Sequence, residues 1–235
     1  MIGKIHDVYY VFDELESLPV YGSESIIPSV AERRALTLNV LDGTTSRYSV
    51  KVWVQEMDVP IYGQRDPRWA SEKLGFGVET IGNYGCVVTS LAMMLSAIED
   101  VEITPLEINE ELKAVNGFTG DTRNLVVWKS VEDAYPSVRF GGLDVCVTTP
   151  APVSKIDKHI ADDGCYCIIQ VDMNPSPEVP GIQGHYVLIT GGNGVNGYTI
   201  HDPWHAQVLT VPPAYCREGW NAARAITRVT YWSAV

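Results

Sequence analysis

Three residue types in this chain have the spacing a thiol nucleophile needs. Cys86 ends Ile81-Gly82-Asn83-Tyr84-Gly85-Cys86, directly before a run of apolar residues at helical spacing. His185 opens an apolar, strand-like run after Gly184, and Asp202 follows in His201-Asp202-Pro203-Trp204. The thiolate is the attacking species, and a helix N-terminus with a neighbouring imidazolium brings a thiol pKa from about 8.5 toward neutrality or below. In such a site His185 takes or shares the thiol proton, and Asp202 holds the ring in the right tautomer and orientation. A tetrahedral oxyanion also needs hydrogen-bond donors. The Cys86 backbone N–H is one candidate, and the Gln64 side-chain amide, in the upstream Tyr62-Gly63-Gln64-Arg65-Asp66-Pro67, is the other.

Each of these residues also has a structural reading. A cysteine before an apolar helix can be a core residue, a histidine beside strands can be a satisfied structural group, and an Asp before Pro can be a turn. His201 and His205 compete with His185 as the base. His201 and Asp202 are adjacent on a strand, so they face opposite sides and do not easily line one cleft. A metal site on His201, Asp202 and His205 is a further alternative, but no glutamate-bearing zinc motif accompanies it. No metal or cofactor is expected.

The elements that must position these groups follow from periodicity. Val87, Val88, Leu91, Ala92, Leu95 and Ile98 give a helix after Cys86. Thr104-Pro105-Leu106-Glu107 is a helix start with Thr as N-cap, Pro at the first position and Glu three residues past the cap. That helix should run to about Val115 and stop at Asn116-Gly117. A further helix is expected over 124–134, ended by Tyr135-Pro136, and a short one capped by Ser154, running to Asp162 with Gly164 as its stop. Residues 165–171, 185–190, 197–201 and 207–211 then read as strands. Helices first and strands after argue for an α+β fold, a helical first half packed on an antiparallel sheet.

Residues 1–58 differ in texture and read as a β-rich N-terminal extension or small module ahead of a main domain over 59–235. Alternation at residues 36–41 and 48–54 around Asp42-Gly43-Thr44-Thr45 predicts a hairpin, and Val8-Tyr9-Tyr10-Val11-Phe12 another strand.

With 235 residues the chain can bury a full core, and its 46% hydrophobic and 20% charged content is that of a globular protein. A net charge of −12 disfavours nucleic acid and anionic membrane surfaces as partners. No stretch approaches a membrane span, and the N-terminus has no secretory signal, so the protein is expected to be made in the cytoplasm and to act there or be released by another system. The five cysteines (86, 146, 165, 167 and 216) form no paired CxxC units and are expected as free thiols, with Cys165 and Cys167 as small buried residues on one strand face.

Several segments together resemble the peptidase C39-like group of papain-like cysteine peptidases. They are Val59-Pro60-Ile61-Tyr62-Gly63-Gln64-Arg65-Asp66-Pro67-Arg68-Trp69-Ala70, Thr80 to Cys86, Thr89-Ser90-Leu91-Ala92-Met93, Thr104-Pro105, Asn109 with Leu112-Lys113, Gln183 to Gly191, and Ile200-His201-Asp202-Pro203-Trp204. The resemblance covers about residues 59–232. It implies a papain-like α+β fold with Cys86 as nucleophile, His185 as base, Asp202 as orienting acid and Gln64 in the oxyanion hole. Tyr186 stands where Trp is common, and Gln64 lies farther before Cys86 than its counterpart in papain. The expected activity is cleavage of a peptide or isopeptide bond through a Cys86 thioester. The substrate would be a specific protein, a peptide, or peptidoglycan cross-links of the kind cut by phage and bacterial lysins. The alternative is a papain-fold binding or structural protein without turnover. The loop over 172–183, rich in proline, is expected at the mouth of the cleft.

Overall fold

A computed structural model describes residues 8–13, 18–19, 48–53 and 59–235, except 177, 179 and 180. The chain divides into two units after Glu56. In the first, strands β1 (Val8–Asp13), β2 (Leu18–Pro19) and β3 (Tyr48–Trp53) form an antiparallel sheet in the order β2-β1-β3. Val8 pairs with Trp53 and Asp13 with Tyr48. Both β1 and β3 fall where alternation predicts strands; the expected strand over 36–41 and its turn lie outside the described residues.

The second unit opens with α1 (Ile81–Tyr84), α2 (Cys86–Glu99) and α3 (Pro105–Ala114). A short ribbon of β4 (Phe118–Thr119) and β5 (Leu125–Val126), then α4 (Ser130–Ala134), leads to β6 (Val138–Val145). After α5 (Val153–Ile160) come β7 (Cys165–Asp172), β8 (Gly184–Asn193), β9 (Gly197–Asp202), β10 (Gln207–Val211), α6 (Ala222–Ala225) and β11 (Ile226–Ala234). The main sheet has six strands in the order β10-β9-β8-β7-β11-β6, every neighbouring pair antiparallel. This is a papain-like α+β fold.

The central strands β7, β8 and β9 are buried on both faces, whereas the edge strands β6 and β10 expose one side. On one side α2 lies against β8 and β7, and α3 against α2. Leu91, Met93, Met94 and Leu95 of α2 join Ile168 and Leu188 of the sheet in one core. On the other side, Ile169, Val171, Val187, Ile189 and Ile200 form a second core with Ile156 of α5. Strands covered on both faces need apolar residues at successive positions, which is why Cys165-Tyr166-Cys167-Ile168-Ile169 does not alternate. Cys167 is fully buried and Cys165 half-buried; burial pushes the Cys167 thiol pKa up, and Cys146 and Cys216 move the same way for the same reason.

The start of α3 has both halves of the capping box. The Glu107 N–H donates to Thr104 Oγ1, and the Thr104 N–H donates to Glu107 Oε2. The helix ends with Val115 as its C-cap, and Asn116 takes a left-handed conformation, as the Asn-Gly pair predicts.

Three expectations need correction. Residues 124–134 are not one helix: Leu125–Val126 pair with Phe118–Thr119, and only Ser130–Ala134 is helical. The cause is Gly117, whose carbonyl accepts the Val127 N–H at 2.8 Å and turns the chain into an extended path. Helix α5 begins at Val153 with Pro152 as N-cap and no side-chain cap, so Ser154 sits inside its first turn, and it ends at Ile160 rather than Asp162. Finally, β6 and β11 are strands that periodicity did not mark. Gly141-Gly142 imitates a turn inside β6, and Thr227 and Thr230 interrupt the apolar run of β11. Both threonine hydroxyls donate to β7 carbonyls, Thr227 to Gln170 and Thr230 to Ile168.

Candidate active site

Cys86 is the first residue of α2, half-buried, at the end of the helix toward which the positive end of its dipole points. A short helix, α1, and the single residue Gly85 precede it. Close approach fixes that junction: a Cβ on Gly82 would stand 2.7 Å from the Ala70 carbonyl oxygen, which accepts the Gly82 N–H. His185 is the second residue of β8 and is 1% exposed. Asp202 ends the neighbouring β9 and is fully buried. His185 Nε2–H donates to Asp202 Oδ1 at 2.6 Å. Cys86 is close enough to the ring to raise its pKa, and with Nε2 engaged, Nδ1 is the ring nitrogen left to exchange a proton with the thiol.

Asp202 is both the turn residue and the partner of the histidine. Its Oδ1 also accepts the Trp204 N–H at 3.0 Å, and Oδ2 accepts the His205 N–H at 3.3 Å, so the carboxylate organises the β9–β10 turn. Tyr215 adds a fourth donor, its hydroxyl 2.7 Å from Oδ2. Burial acts to raise the Asp202 pKa, but the His185 and Tyr215 hydrogen bonds outweigh it and hold the carboxyl below its usual range. For His185 burial acts downward; the Asp202 hydrogen bond and the neighbouring Cys86 sulfur outweigh it and lift the ring to about 9. The imidazole is therefore cationic at neutral pH.

Gln64 is brought to the same place despite its distance along the chain from Cys86. Its backbone N–H donates to the Pro203 carbonyl at 2.8 Å, tying its loop to the Asp202 turn, and Nε2 donates to the Gly82 carbonyl at 3.0 Å. The residues between fold into a closed excursion whose ends meet where Gly82 bonds to Ala70. Gln64 is buried, and its Oε1 has no partner among the described residues. One Nε2 hydrogen remains free to serve an oxyanion.

His201 Nδ1 is 3.2 Å from the Pro60 carbonyl oxygen, away from the ring of His185. His205 is half-exposed, with Nε2 4.0 Å from Asp202 Oδ2. Among the described residues no group of three His, Cys, Asp or Glu side chains is arranged to hold a metal ion.

Cys86, His185 and Gln64 open onto a cleft of about 890 Å³. Met173 and Gln183, at the two ends of the 172–183 loop, reach its lining. The Met173 N–H donates to the Gln183 carbonyl, and Asp172 Oδ1 accepts the N–H groups of Asn174 and Gln183, which closes the loop at its base. Tyr215, Trp204 and Trp128 were not read from sequence. Tyr215 lies far past Asp202 in a segment without a motif. Trp204 closes the resemblance segment 200–204, its ring 6.5 Å from that of His185 and covered by the Arg65 guanidinium; its aromatic type beside Asp-Pro is the signal the sequence offers. Trp128 was assigned to a helix and instead packs on Tyr186, ring centroids 5.5 Å apart.

A thiol at a helix N-terminus, an imidazolium and a buried carboxylate on adjacent strands of a papain-like fold define the cysteine-peptidase class. The chain belongs to the Peptidase_C39 like family, whose model matches residues 56–227. No significant match is found among curated proteins. Among the described residues no helix is long and apolar enough to cross a membrane.

Proposed function

We propose that this protein hydrolyses peptide or isopeptide bonds by acyl transfer through Cys86, with residues 59–235 as the catalytic domain and residues 1–58 as a separate β-rich module. The Cys86 sulfur attacks the carbonyl carbon, and the carbonyl π electrons move to oxygen. The Gln64 amide and the Cys86 backbone N–H receive that oxyanion. His185 then gives its Nδ1 proton to the leaving amine as the C–N bond breaks, leaving a Cys86 thioester. Water, deprotonated by His185, attacks the thioester, and collapse of that second tetrahedral intermediate releases the acid and restores the Cys86 thiolate beside the protonated ring. Asp202 keeps the ring aimed throughout.

The single observation that carries this reading is the buried His185–Asp202 pair, 2.6 Å apart, opening with Cys86 onto one cleft. A non-catalytic fold has no physical reason to bury a carboxylate and an imidazolium beside a half-exposed thiol. The substrates proposed are a specific protein or the cross-links of peptidoglycan.

Iodoacetamide near neutral pH, with the modified cysteine located by mass spectrometry, tests the site. Cys86 should label at least about tenfold faster than Cys216, and His185→Ala should remove the advantage. Equal rates at the two thiols would refute an activated nucleophile. Turbidity of purified cell walls, with Cys86→Ala as control, separates the two substrates: clearing by the wild type alone supports the wall, and no clearing favours the protein.

A further inference from the structure

The cleft contains a cation that the acyl-transfer chemistry does not use. Among the residues lining it, Arg228 is the one side chain with a permanent charge, and no aspartate or glutamate lines it. Arg228 is half-buried on β11. Its Nη1 reaches only the Tyr186 hydroxyl, at 3.4 Å, and its Nε is buried without a hydrogen-bond partner. No carboxylate among the described residues forms an ion pair with it. A guanidinium drawn from water with a buried, unanswered N–H is unfavourable unless something else supplies the acceptor.

Two neighbours have the right chemistry to complete such a site. Gln170 on β7 is the cross-strand partner of both Arg228 and Tyr186, so the three side chains stand in one row on the same sheet face. That is the face covered by α2, and all three line the cleft together with Cys86. Gln170 Oε1 lies 3.0 Å from Thr227 Oγ1, and Nε2 lies on the other side of the amide, against Gly184. A Cβ on Gly184 would lie 2.5 Å from that nitrogen, so the glycine leaves it room. The amide N–H groups of Gln170 have no acceptor among the described residues.

We propose that Arg228, with the Gln170 amide and the Tyr186 hydroxyl, is a carboxylate-recognition subsite that selects substrates carrying an anionic group close to the scissile bond. This rests on the peptidase reading for its biological meaning, but not for its test. A guanidinium fork matches a carboxylate through two parallel N–H bonds. The carboxylate comes either from an acidic side chain or from a free peptide C-terminus; both present the same two oxygens.

Three acetylated tripeptides separate these cases: Ala-Glu-Ala amide, Ala-Gln-Ala with a free C-terminus, and Ala-Gln-Ala amide. Each is titrated into Cys86→Ala protein, which cannot turn over, and binding is followed by the fluorescence of Trp128 and Trp204 in the cleft wall. At least one carboxylate peptide should bind roughly tenfold or more tightly than the uncharged one, and which one does identifies the source. Arg228→Gln should abolish the preference, and Arg228→Lys should keep part of it. Equal titrations for the three peptides overturn the subsite without need of any Arg228 variant, as does a preference that survives Arg228→Gln. Iodoacetamide labelling of Cys86 in the otherwise unmodified protein reports on the nucleophile separately, so failure of the subsite and failure of the peptidase reading are distinguishable.

Discussion

At the residue scale, the buried Asp202 carboxylate is the most heavily committed group in the site. Removing the Tyr215 hydroxyl withdraws one charge-assisted hydrogen bond from it, so Tyr215→Phe should lower stability by about 1–2 kcal/mol. Because the lost contact orients the histidine and does not touch substrate, kcat should fall by roughly tenfold while KM stays unchanged; steady-state kinetics on the first substrate identified would check this, and an altered KM would place Tyr215 in binding instead. The titration of His185 gives a second prediction. Its folded pKa, about 9, lies above its ordinary value of 6.5. A raised pKa means that the folded state holds the proton more tightly than the unfolded state. Its stabilisation is complete below about pH 6.5 and is lost as pH climbs through 9. Asp202, displaced downward from 3.8, behaves in the opposite sense: its contribution is present above that value and is lost in acid. Thermal melts between pH 6.5 and 9 should therefore show a falling midpoint, and Asp202→Asn should flatten the fall. A midpoint independent of pH over that range would contradict the charged ring.

At the element scale, α3 tests how much local chemistry holds the helical layer together. Thr104→Ala removes one half of the capping box and should lower unfolding free energy by about 1 kcal/mol in urea titrations, with iodoacetamide reactivity at Cys86 unchanged because the cap lies beside Ser96, toward the opposite end of α2 from Cys86. Elements of this kind were legible because their information is local. The helix after Cys86 shows its apolar period, α3 shows its cap, and β7 to β10 show β-rich runs between turn residues. What sequence concealed depends on partners elsewhere in the chain. Strand β11 is marked by Thr227 and Thr230, whose hydroxyls look solvent-facing until the β7 carbonyls that accept them are in place. Residues 124–134 have a helical content of apolar residues, yet the Gly117 carbonyl captures Val127 and diverts the chain. The site followed the same division. Cys86, His185 and Asp202 lie at element boundaries with local signatures, whereas the closeness of Gln64 depends on an excursion that closes on Gly82, and Arg228 gains meaning only beside Gln170 and Tyr186.

At the scale of the whole molecule, the described core and the described lining of the cleft are drawn from residues 59 onward. A chain comprising residues 57–235 should accordingly fold alone, melt in one cooperative transition and keep the rapid labelling of Cys86; broad, non-cooperative melting would show that the catalytic unit needs the first 56 residues. The order of the six strands carries a consequence for how the protein is made. Strand β11 comes last in sequence but lies between β7 and β6. While the polypeptide emerges from the ribosome, Cys86, His185 and Asp202 are all synthesised before Ile226. Until β11 arrives, β7 lacks a neighbour on one side, and Trp232, which packs against Trp128 in the cleft wall, is missing. The nascent chain thus carries the Cys86 thiol before it carries the strand that completes the cleft wall. The cleft wall is therefore completed only when Ile226–Ala234 takes its place between β7 and β6.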